Sequence, residues 1–306
     1  MESLATRPLT FGTRGSALAR WQTDSAIRRL RAAWPTLNCE TKLFTTSGDK
    51  IIDKPLPEIG GKGLFTEELE KALRSGEIDV AVHSLKDLPI DDAPGLALGA
   101  IGKREDARDV LISRDGRSLA ALSPGARVGT SSLRRAAQLL AVRPDLILLP
   151  LRGNVDTRIR KATSGDYDAI VLAAAGVLRL GLEAHITEYL PFELMLPAPG
   201  QGALAVQCRA DDSTVRELLA AIDHAVTCAA VTAERAFLNA LGGGCSAPVA
   251  AYAISSPKTP IFMTGLVASR DGRLFVRVSG EGADPFLLGA KLAREALVQG
   301  AEELLK

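Results

Sequence analysis

Two arginine-bearing segments lie in the middle of the chain, the first being GTSSLRR at residues 129–135. The pattern predicts a strand that ends near Thr130 and a helix that begins after the N-cap residue Ser132. Arg134 and Arg135 would then lie near the positive end of the helix dipole, where cations are disfavoured, so we expect an anion to offset them. Hydroxyl, backbone N–H and guanidinium groups together suit a carboxylate or phosphate ligand. The alternative is that both arginines fold back onto surface acids.

The second segment, LRGNVDTRIRK at residues 151–161, again runs from a predicted strand through a glycine turn into a helix. Arg152 follows the carboxyl end of the strand, and Arg158 lies about one helical turn past the glycine turn. Ligands of open α/β sheets bind at that edge, so both arginines are candidates for anion binding. The alternative is that both arginines belong to a solvated basic helix face. This alternative is weaker because two arginine-bearing strand ends lie in the same part of the chain.

A carboxylate follows another predicted strand in VHSLKDLP, residues 82–89. The strand delivers Lys86 and Asp87 into a loop that Pro89 stiffens. An acid at the carboxyl end of a strand is well placed to transfer protons or to stabilise a cation, which makes Asp87 a candidate catalytic group. The alternative is that Asp87 pairs with Lys86 or caps a turn.

One cysteine is flanked by glycines in GGGCSAP, residues 242–248. Such a loop forms no core of its own, but it can present the Cys245 sulfur to a cavity. The alternatives are a buried inert thiol and a hydrolase in which Cys245 pairs with His83, for which the sequence has no signature.

Two glycine-rich loops before predicted helices carry further polar candidates: GTRGSALA at residues 12–19, with Arg14 and Ser16, and GGKGLFTEEL at residues 60–69, with Lys62. Neither has the spacing of a dinucleotide-binding or Walker loop. We expect these loops to bind acids, the alternative being ordinary surface loops.

Composition restricts the class of protein. At roughly 100 to 200 residues per domain, a chain of 306 residues predicts two or three domains. No apolar stretch is long enough for a membrane span and no secretory signal is visible, so we expect a cytoplasmic protein. The net charge of +1 gives no sign of a nucleic-acid or membrane partner. Four cysteines without CxxC spacing and three separate histidines predict reduced thiols and no metal.

The elements that must position these residues alternate between strands and helices over most of the chain. We expect an initial βαβ unit with Ser16 as helix N-cap, and therefore parallel sheets covered by helices. The proline- and glycine-rich run at residues 196–202 is predicted to be a connector, and no internal repeat is visible. Strands are predicted near residues 9–13, 41–45, 78–83, 110–113, 127–130, 146–151 and 169–173, with further strands between 249 and 278.

Taken together, VHSLKDLP, GTSSLRR, LRGNVDTR, GGKGLF, PAPGQGA and the glycine-flanked cysteine resemble the hydroxymethylbilane synthase (porphobilinogen deaminase) family, from Thr13 to the Cys245 loop. The resemblance implies a monomeric transferase that polymerises four porphobilinogen molecules head to tail, releasing ammonia, to give linear hydroxymethylbilane in tetrapyrrole (haem) biosynthesis. It also implies a dipyrromethane cofactor attached covalently through a thioether to Cys245.

The resemblance further implies an α/β fold of two hinged lobes, like those of periplasmic binding proteins, plus a smaller C-terminal α+β domain. Domain 1 would comprise residues 1–102 and 203–222, domain 2 residues 103–202, and domain 3 residues 223–306. Asp87 would be the catalytic carboxylate, and Gln22 and Gln201 would line the cleft. The acetate and propionate arms of the cofactor and growing chain would be bound by Arg14, Ser16, Lys62, Lys86, Thr130, Ser132, Arg134, Arg135, Arg152, Arg158 and Arg179.

A two-lobed anion-binding module without catalysis is the main alternative, because paired α/β lobes with an arginine-lined cleft also occur in receptors. Cys245 discriminates between the two hypotheses, since a receptor has no use for a covalent tether.

Overall fold

The structure, a computed structural model, describes residues 7–50, 63–90, 93–242 and 247–305. Its strands are β1 Leu9–Arg14, β2 Cys39–Phe44, β3 Val80–Ser84, β4 Leu96–Ile101, β5 Asp109–Ser113, β6 Arg127–Gly129, β7 Ile147–Leu149, β8 Ala169–Ala173, β9 Glu188–Leu190, β10 Leu204–Arg209, β11 Val249–Ser256, β12 Thr259–Ala268 and β13 Phe275–Gly282. Its α-helices are α1 Ala17–Ala33, α2 Ser47–Lys50, α3 Glu67–Arg74, α4 Leu133–Val142, α5 Val155–Thr163, α6 Ala174–Arg179, α7 Ser213–Ala220, α8 Ala225–Ala240, α9 Pro285–Val298 and α10 Ala301–Leu305. Over these residues, no helix has both the length and the hydropathy needed to span a membrane.

The chain divides into two compact units. The first contains the described residues up to Arg104 together with Ala203–Cys228. The second contains Glu105–Gly202 and the described residues from Ala229 onward. The division into domains 1–102 with 203–222, 103–202 and 223–306 is finer than these two units and stays a prediction.

The first unit is built on a five-stranded sheet in the order β2-β1-β3-β10-β4. Phe11, Leu30 and Leu219 are fully buried in the cluster that β1, α1 and α7 share. Burial of each such side chain stabilises the fold by about 1.5–3 kcal/mol. The amphipathic spacing of α1 therefore fixes the face it turns toward the sheet, and with it the place where the loop after β1 lies.

The predicted βαβ unit at the start of the chain is confirmed. β1 and β2 are parallel, and the Ser16 hydroxyl caps α1 by accepting the N–H of Ala19 at 3.2 Å. Thr66 occupies the N-cap position of α3, but its side chain makes no capping hydrogen bond.

The expectation of parallel sheets is wrong, because both five-stranded sheets are mixed. β10 is antiparallel to β3 and β4, and β5 is antiparallel to β8 and β9. The crossover rule governs parallel strands that follow one another through a helix. It does not fix the direction of a strand such as β10, which returns to its sheet from a distant part of the sequence.

The second unit contains a five-stranded sheet in the order β7-β6-β8-β5-β9 and a three-stranded antiparallel sheet in the order β11-β12-β13. Gly265 in β12 lies against Phe237 of α8, where a Cβ atom would come within 2.5 Å of the aromatic ring. The smaller sheet thus packs closely on a helix. The α/β class with a smaller C-terminal sheet-and-helix part is confirmed.

The two five-stranded sheets have the same arrangement of strand directions but different connections, because the fourth position is taken by the last strand of the first sheet, β10, and by the first strand of the second sheet, β5. In each sheet, the first three strands in the sheet order are parallel and the last two alternate in direction. The registers place Gly12 and Gly129 at corresponding positions, since Gly12 pairs with Ala81 and Gly129 pairs with Ile170.

An aspartate performs the same task in both sheets. Asp79 accepts the N–H of Thr10 at 3.0 Å and donates its own N–H to the Thr10 carbonyl at 2.8 Å. Asp168 makes the same pair of bonds with Arg127, at 2.8 and 2.9 Å. Both aspartates end the pattern Ser-Gly-acid-x-Asp, at residues 75–79 and 164–168. This short pattern thus stands in the sequence directly before β3 and directly before β8.

Candidate active site

Asp87 lies at the end of a short 3-10 turn, Leu85–Asp87, directly after β3. Leu85 and Leu88 on either side are buried, and the Leu85 N–H donates to the Ala203 carbonyl at 3.0 Å. The Asp87 side chain is exposed, and no hydrogen bond or ion pair to its carboxylate is recorded in the described part of the chain. The turn therefore holds an accessible carboxylate on an anchored backbone.

Gln22 supports the strand from which this turn starts. It is buried on α1, and its Nε2 donates to the Ser84 hydroxyl at 2.9 Å. Lys86, next to Asp87, is half-buried.

Arg14, at the end of β1, is bound internally. Its guanidinium pairs with the Asp49 carboxylate and lies over the Phe65 ring, 4.3 Å from the centroid. Burial would raise the pKa of Asp49, but hydrogen bonds from Arg14 and Thr46 lower it below its ordinary value. Asp49 thus stays charged and orients Arg14.

Arg134 and Arg135 are also bound to an acid, and that acid is buried. Arg134 Nη1 lies 2.8 Å from Asp109 Oδ2, and Arg135 Nη2 donates to Asp109 Oδ1 at 2.7 Å. All three residues are at most 7% exposed. The Arg134 contact is an ion pair rather than a well-aligned hydrogen bond, because among the described residues no N–H group points directly at Asp109 Oδ2.

Asp109 is ionised in this surrounding. Burial alone would raise its pKa, but the charges of Arg134 and Arg135 hold that pKa well below its ordinary value. The anion that we expected near the two arginines is therefore present inside the protein, although it is a buried acid and not one of the surface acids considered above.

The hydroxyl residues of GTSSLRR organise the loop between β6 and α4. Ser132 accepts the N–H of Arg135 at 3.4 Å as the helix cap, and Thr130 accepts the N–H of Ser132 at 3.2 Å. Ser131 binds both backbone groups of Leu151, accepting its N–H at 2.9 Å and donating to its carbonyl at 3.0 Å. These bonds bring the two arginine-bearing segments together at one edge of the sheet.

In the second segment, Arg152 and Arg158 are half-buried. Arg158 Nε donates to the Gly153 carbonyl at 2.6 Å, so this side chain folds back over the glycine turn before its helix. Gly153 adopts a φ of 115°, which explains the glycine there.

Gln201 and Arg179 hold the predicted connector, which forms turns. Gln201 is fully buried and donates to the Ala107 carbonyl at 2.8 Å and to Asp109 Oδ1 at 2.9 Å. Arg179 is buried and donates to the Gly202 carbonyl at 2.6 Å. Gln201 is thus a third donor at Asp109.

Two of the predicted site residues, Lys62 and Cys245, lie outside the described residues. Within the described ranges, no group of three or more His, Cys, Asp or Glu side chains is arranged to hold a metal ion. His83 is buried, and burial is the main cause that lowers its pKa to about 4, with the Arg14 charge acting in the same direction.

Sequence reasoning missed Asp109, Asp49 and Glu234. Asp109 lies in the pattern Asp-Ala-Arg-Asp, and only the apolar run that follows it distinguishes it from Asp106. A buried strand begins at Asp109. An acid at the start of a buried strand indicates a paired charge, and the sequence contains this signal. Glu234 had no comparable signal within its helix.

The chain matches two family descriptions in succession. Residues 9–217 match "Porphobilinogen deaminase, dipyromethane cofactor binding domain", and residues 228–298 match "Porphobilinogen deaminase, C-terminal domain".

Curated relatives match over almost their full length. A protein named "Porphobilinogen deaminase" from Moorella thermoacetica is 53% identical over 300 residues, 97% of this chain and 96% of the relative. The protein of the same name from Brevibacillus brevis is 49% identical over 294 residues, 96% of this chain and 95% of the relative.

Solved structures are more distant. The VFT2 domain of Bordetella pertussis BvgS aligns with 72% of this chain and 89% of that domain, at 18% identity and a TM-score of 0.43. A TM-score this low supports no conclusion about the present chain.

Proposed function

This chain belongs to the porphobilinogen deaminase family, and on that premise we propose which of its residues carry out the family's reaction. The chain is a transferase, hydroxymethylbilane synthase, which joins four porphobilinogen molecules head to tail with loss of ammonia, for tetrapyrrole biosynthesis. Its cofactor is dipyrromethane. When bound, the cofactor supplies the pyrrole to which the first substrate is joined.

The residues around Asp109 fit such a group. Each pyrrole ring brings two carboxylates, and the buried Arg134 and Arg135 carry two positive charges against one from Asp109. Arg135 Nε is buried and has no hydrogen-bond partner among the described residues, so a donor is available. Guanidinium groups bind carboxylates through paired N–H donors, which suits a chain of acetate and propionate arms.

We assign the binding of these arms to the basic and hydroxyl residues of the motifs. They are Arg14, Ser16, Lys62, Lys86, Thr130, Ser132, Arg134, Arg135, Arg152, Arg158 and Arg179. Gln22 and Gln201 support the site from buried positions, since Gln22 binds Ser84 and Gln201 binds Asp109.

Asp87 is the catalytic carboxylate in this proposal. The aminomethyl group of porphobilinogen, protonated as an ammonium at neutral pH, leaves as ammonia when its carbon–nitrogen bond breaks, and the remaining pyrrole is an azafulvenium cation. A carboxylate beside the pyrrole N–H stabilises that cation. With the cofactor bound, its terminal pyrrole would supply the carbon nucleophile, and Asp87 would accept the proton that this ring carbon loses. The observation that carries the assignment is the accessible Asp87 carboxylate on a turn fixed by buried Leu85 and Leu88.

We propose Cys245 as the point of covalent attachment, through a thioether. The chemistry of two other thiols supports this choice: burial raises the pKa of Cys208 to about 11 and also raises the pKa of Cys39. A thiol that resists ionisation is a poor nucleophile. Cys245 lies between Gly244 and Ser246, after a run of three glycines.

The test is the intact mass of the purified chain. We expect a mass above that of the sequence by one dipyrromethane unit, located on the peptide with Cys245, and production of hydroxymethylbilane from porphobilinogen. An active chain with an unmodified mass would contradict the covalent attachment, and an inactive, unmodified chain that binds anions would favour the two-lobed binding module. We further propose a cytoplasmic monomer without nucleic-acid or membrane partners, on the family resemblance and the net charge of +1.

A further inference from the structure

Arg134 and Arg135 share a single carboxylate within the described residues, that of Asp109. The nearby acid Asp106 is engaged by Arg108 at 2.6 Å and does not contribute. Two positive charges against one negative charge leave an excess of one positive charge on residues that are at most 7% exposed. Because a buried charge without a counter-ion is costly, this cluster favours one further anion.

Asp109 also determines where the remaining N–H donors point. Arg135 uses Nη1 on the Val171 carbonyl at 3.2 Å and Nη2 on Asp109 at 2.7 Å, which leaves its buried Nε as the unused donor. Arg134 uses Nη1 on the Leu196 carbonyl at 2.7 Å, the same atom that faces Asp109. The carboxylate thus occupies one edge of each guanidinium and leaves the other donors for a ligand.

The Asp109 carboxylate is itself bound by a residue of the connector at residues 196–202. Gln201 donates to Asp109 at 2.9 Å, and the neighbouring Gly200 N–H donates to Glu234 Oε2 at 2.7 Å. Glu234 also accepts the N–H of Ala253 in β11 at 2.8 Å. The arginine pair is therefore linked by hydrogen bonds to α8, the helix that precedes Cys245 in the sequence.

We propose that Asp109 is a positioning residue that fixes Arg134 and Arg135 and reduces their joint charge, so that the pair binds one carboxylate of the dipyrromethane cofactor. The proposal rests on the function proposed above. It is supported by Arg134, whose pKa is lowered by burial with Asp109 opposing, as expected for cations that lack a full set of anions.

The test compares full-length Asp109→Asn and Asp109→Glu with the control Asp168→Asn. Asp168 is the control because it too binds an arginine side chain in the same unit, that of Arg127. The readouts are the fraction of chains that carry the dipyrromethane mass and the melting temperature. We expect folded Asp109→Asn to load at least about tenfold less cofactor, as for the loss of a charged hydrogen bond. Asp168→Asn should melt earlier yet load like the wild type.

Asp109→Glu keeps the charge but displaces it by one methylene, so it tests position separately from charge. We expect a folded chain that loads in part and whose KM for porphobilinogen rises at least about fivefold while kcat changes less. Wild-type loading by folded Asp109→Asn, or wild-type loading and KM in Asp109→Glu, would overturn the proposal. Unfolding of both variants would overturn it as well, since Asp109 would then be a requirement of the fold. A wild-type chain without dipyrromethane mass would instead contradict the proposed function.

Discussion

Gln22 Nε2 donates a hydrogen bond of 2.9 Å to the Ser84 hydroxyl, which ties helix α1 to the last residue of β3. The turn that carries Asp87 starts at the next residue. Because Ser84 is thus fixed from a second element, the direction of the Asp87 turn does not depend on Asp87 itself. Replacing Asp87 should therefore leave the turn in place.

Replacing Asp87 by Asn is expected to abolish nearly all production of hydroxymethylbilane while leaving the fold intact. The side chain is exposed, so its loss removes no packing. Circular dichroism and the melting temperature should match the wild type, and turnover should fall at least about a hundredfold, as for loss of an acid–base group. Asp24→Asn, an exposed acid on α1, is the control and should retain turnover. Near-normal turnover in Asp87→Asn would contradict the catalytic assignment.

Single replacements of Arg134 or Arg135 by Leu are expected to block cofactor loading. Each removes the excess positive charge, since one remaining arginine then balances Asp109. The loss of a charged hydrogen bond should also lower the free energy of unfolding by about 1.5–3 kcal/mol. Intact mass after expression measures loading, and Arg114→Leu, whose side chain is 43% exposed, is the control.

Arg158→Leu is expected to behave differently, because Arg158 is half-buried and folds back onto the Gly153 carbonyl of its own turn. We expect it to load cofactor and then to stall elongation. Brief exposure to porphobilinogen, followed by mass measurement, should show a partly extended species that accumulates relative to the wild type. A wild-type distribution of species would remove Arg158 from the site.

Cys245→Ser is expected to lack the thioether-linked adduct, whereas Cys39, Cys208 and Cys228 should each be replaceable without losing it. The wild-type adduct should survive denaturation and thiol reagents, because thiol exchange attacks S–S bonds and not a C–S bond. Cys208→Ala should melt earlier than the wild type, since Cys208 is fully buried, but should still carry the adduct. An adduct in Cys245→Ser would place the attachment elsewhere.

The Asp79 carboxylate is expected to make stability depend on pH at the acid end. Asp79 is buried between Arg7 and Arg209; burial would raise its pKa, but their hydrogen bonds lower it below the ordinary value. Its contribution is therefore complete above a pH of about 4, the ordinary pKa of aspartate, and is lost as pH falls through the lower folded pKa. Asp79→Asn should cost about 3–5 kcal/mol at neutral pH, as for a broken buried pair. The difference from the wild type should shrink in urea titrations below that pH, and a constant difference would contradict the assignment.

Gly202 is expected to tolerate no side chain. Its φ is 88°, and a Cβ would lie 2.5 Å from the Glu105 carbonyl oxygen. Gly116→Ala is the matched control, because Gly116 has a φ of 71° and no atom within 4 Å of the added Cβ. Gly116→Ala should cost about 1–2 kcal/mol from backbone strain alone, and Gly202→Ala should cost clearly more in the same unfolding measurement. Equal costs would mean that the Glu105 carbonyl moves aside freely.

The sequence predicted what depends on local patterns. Ser16 and Ser132 were predicted as helix caps, and both accept hydrogen bonds from the N–H three residues on. The strand ends that carry Asp87 and Arg152 were also predicted, since periodicity and glycine turns mark them.

The rest depended on contacts between distant residues. Asp109 and Arg135 are 26 positions apart, and no pattern in one sequence pairs them. The antiparallel direction of β10 is likewise fixed by pairing with β3 and β4, which the spacing of residues does not encode. The roles of Lys62 and Cys245 stay predictions, because both lie outside the described residues.

The position of β10 has a consequence for how the chain is made. β10 lies between β3 and β4 in the first sheet, yet it is separated from β4 by the whole of Glu105–Gly202. During synthesis, β3 and β4 therefore leave the ribosome with their facing edges unpaired, and they stay so until about a hundred further residues have been added. Unpaired edges are the surfaces through which nascent chains aggregate. The amino-terminal part of this enzyme should thus depend on chaperones until Leu204–Arg209 emerges and closes the sheet.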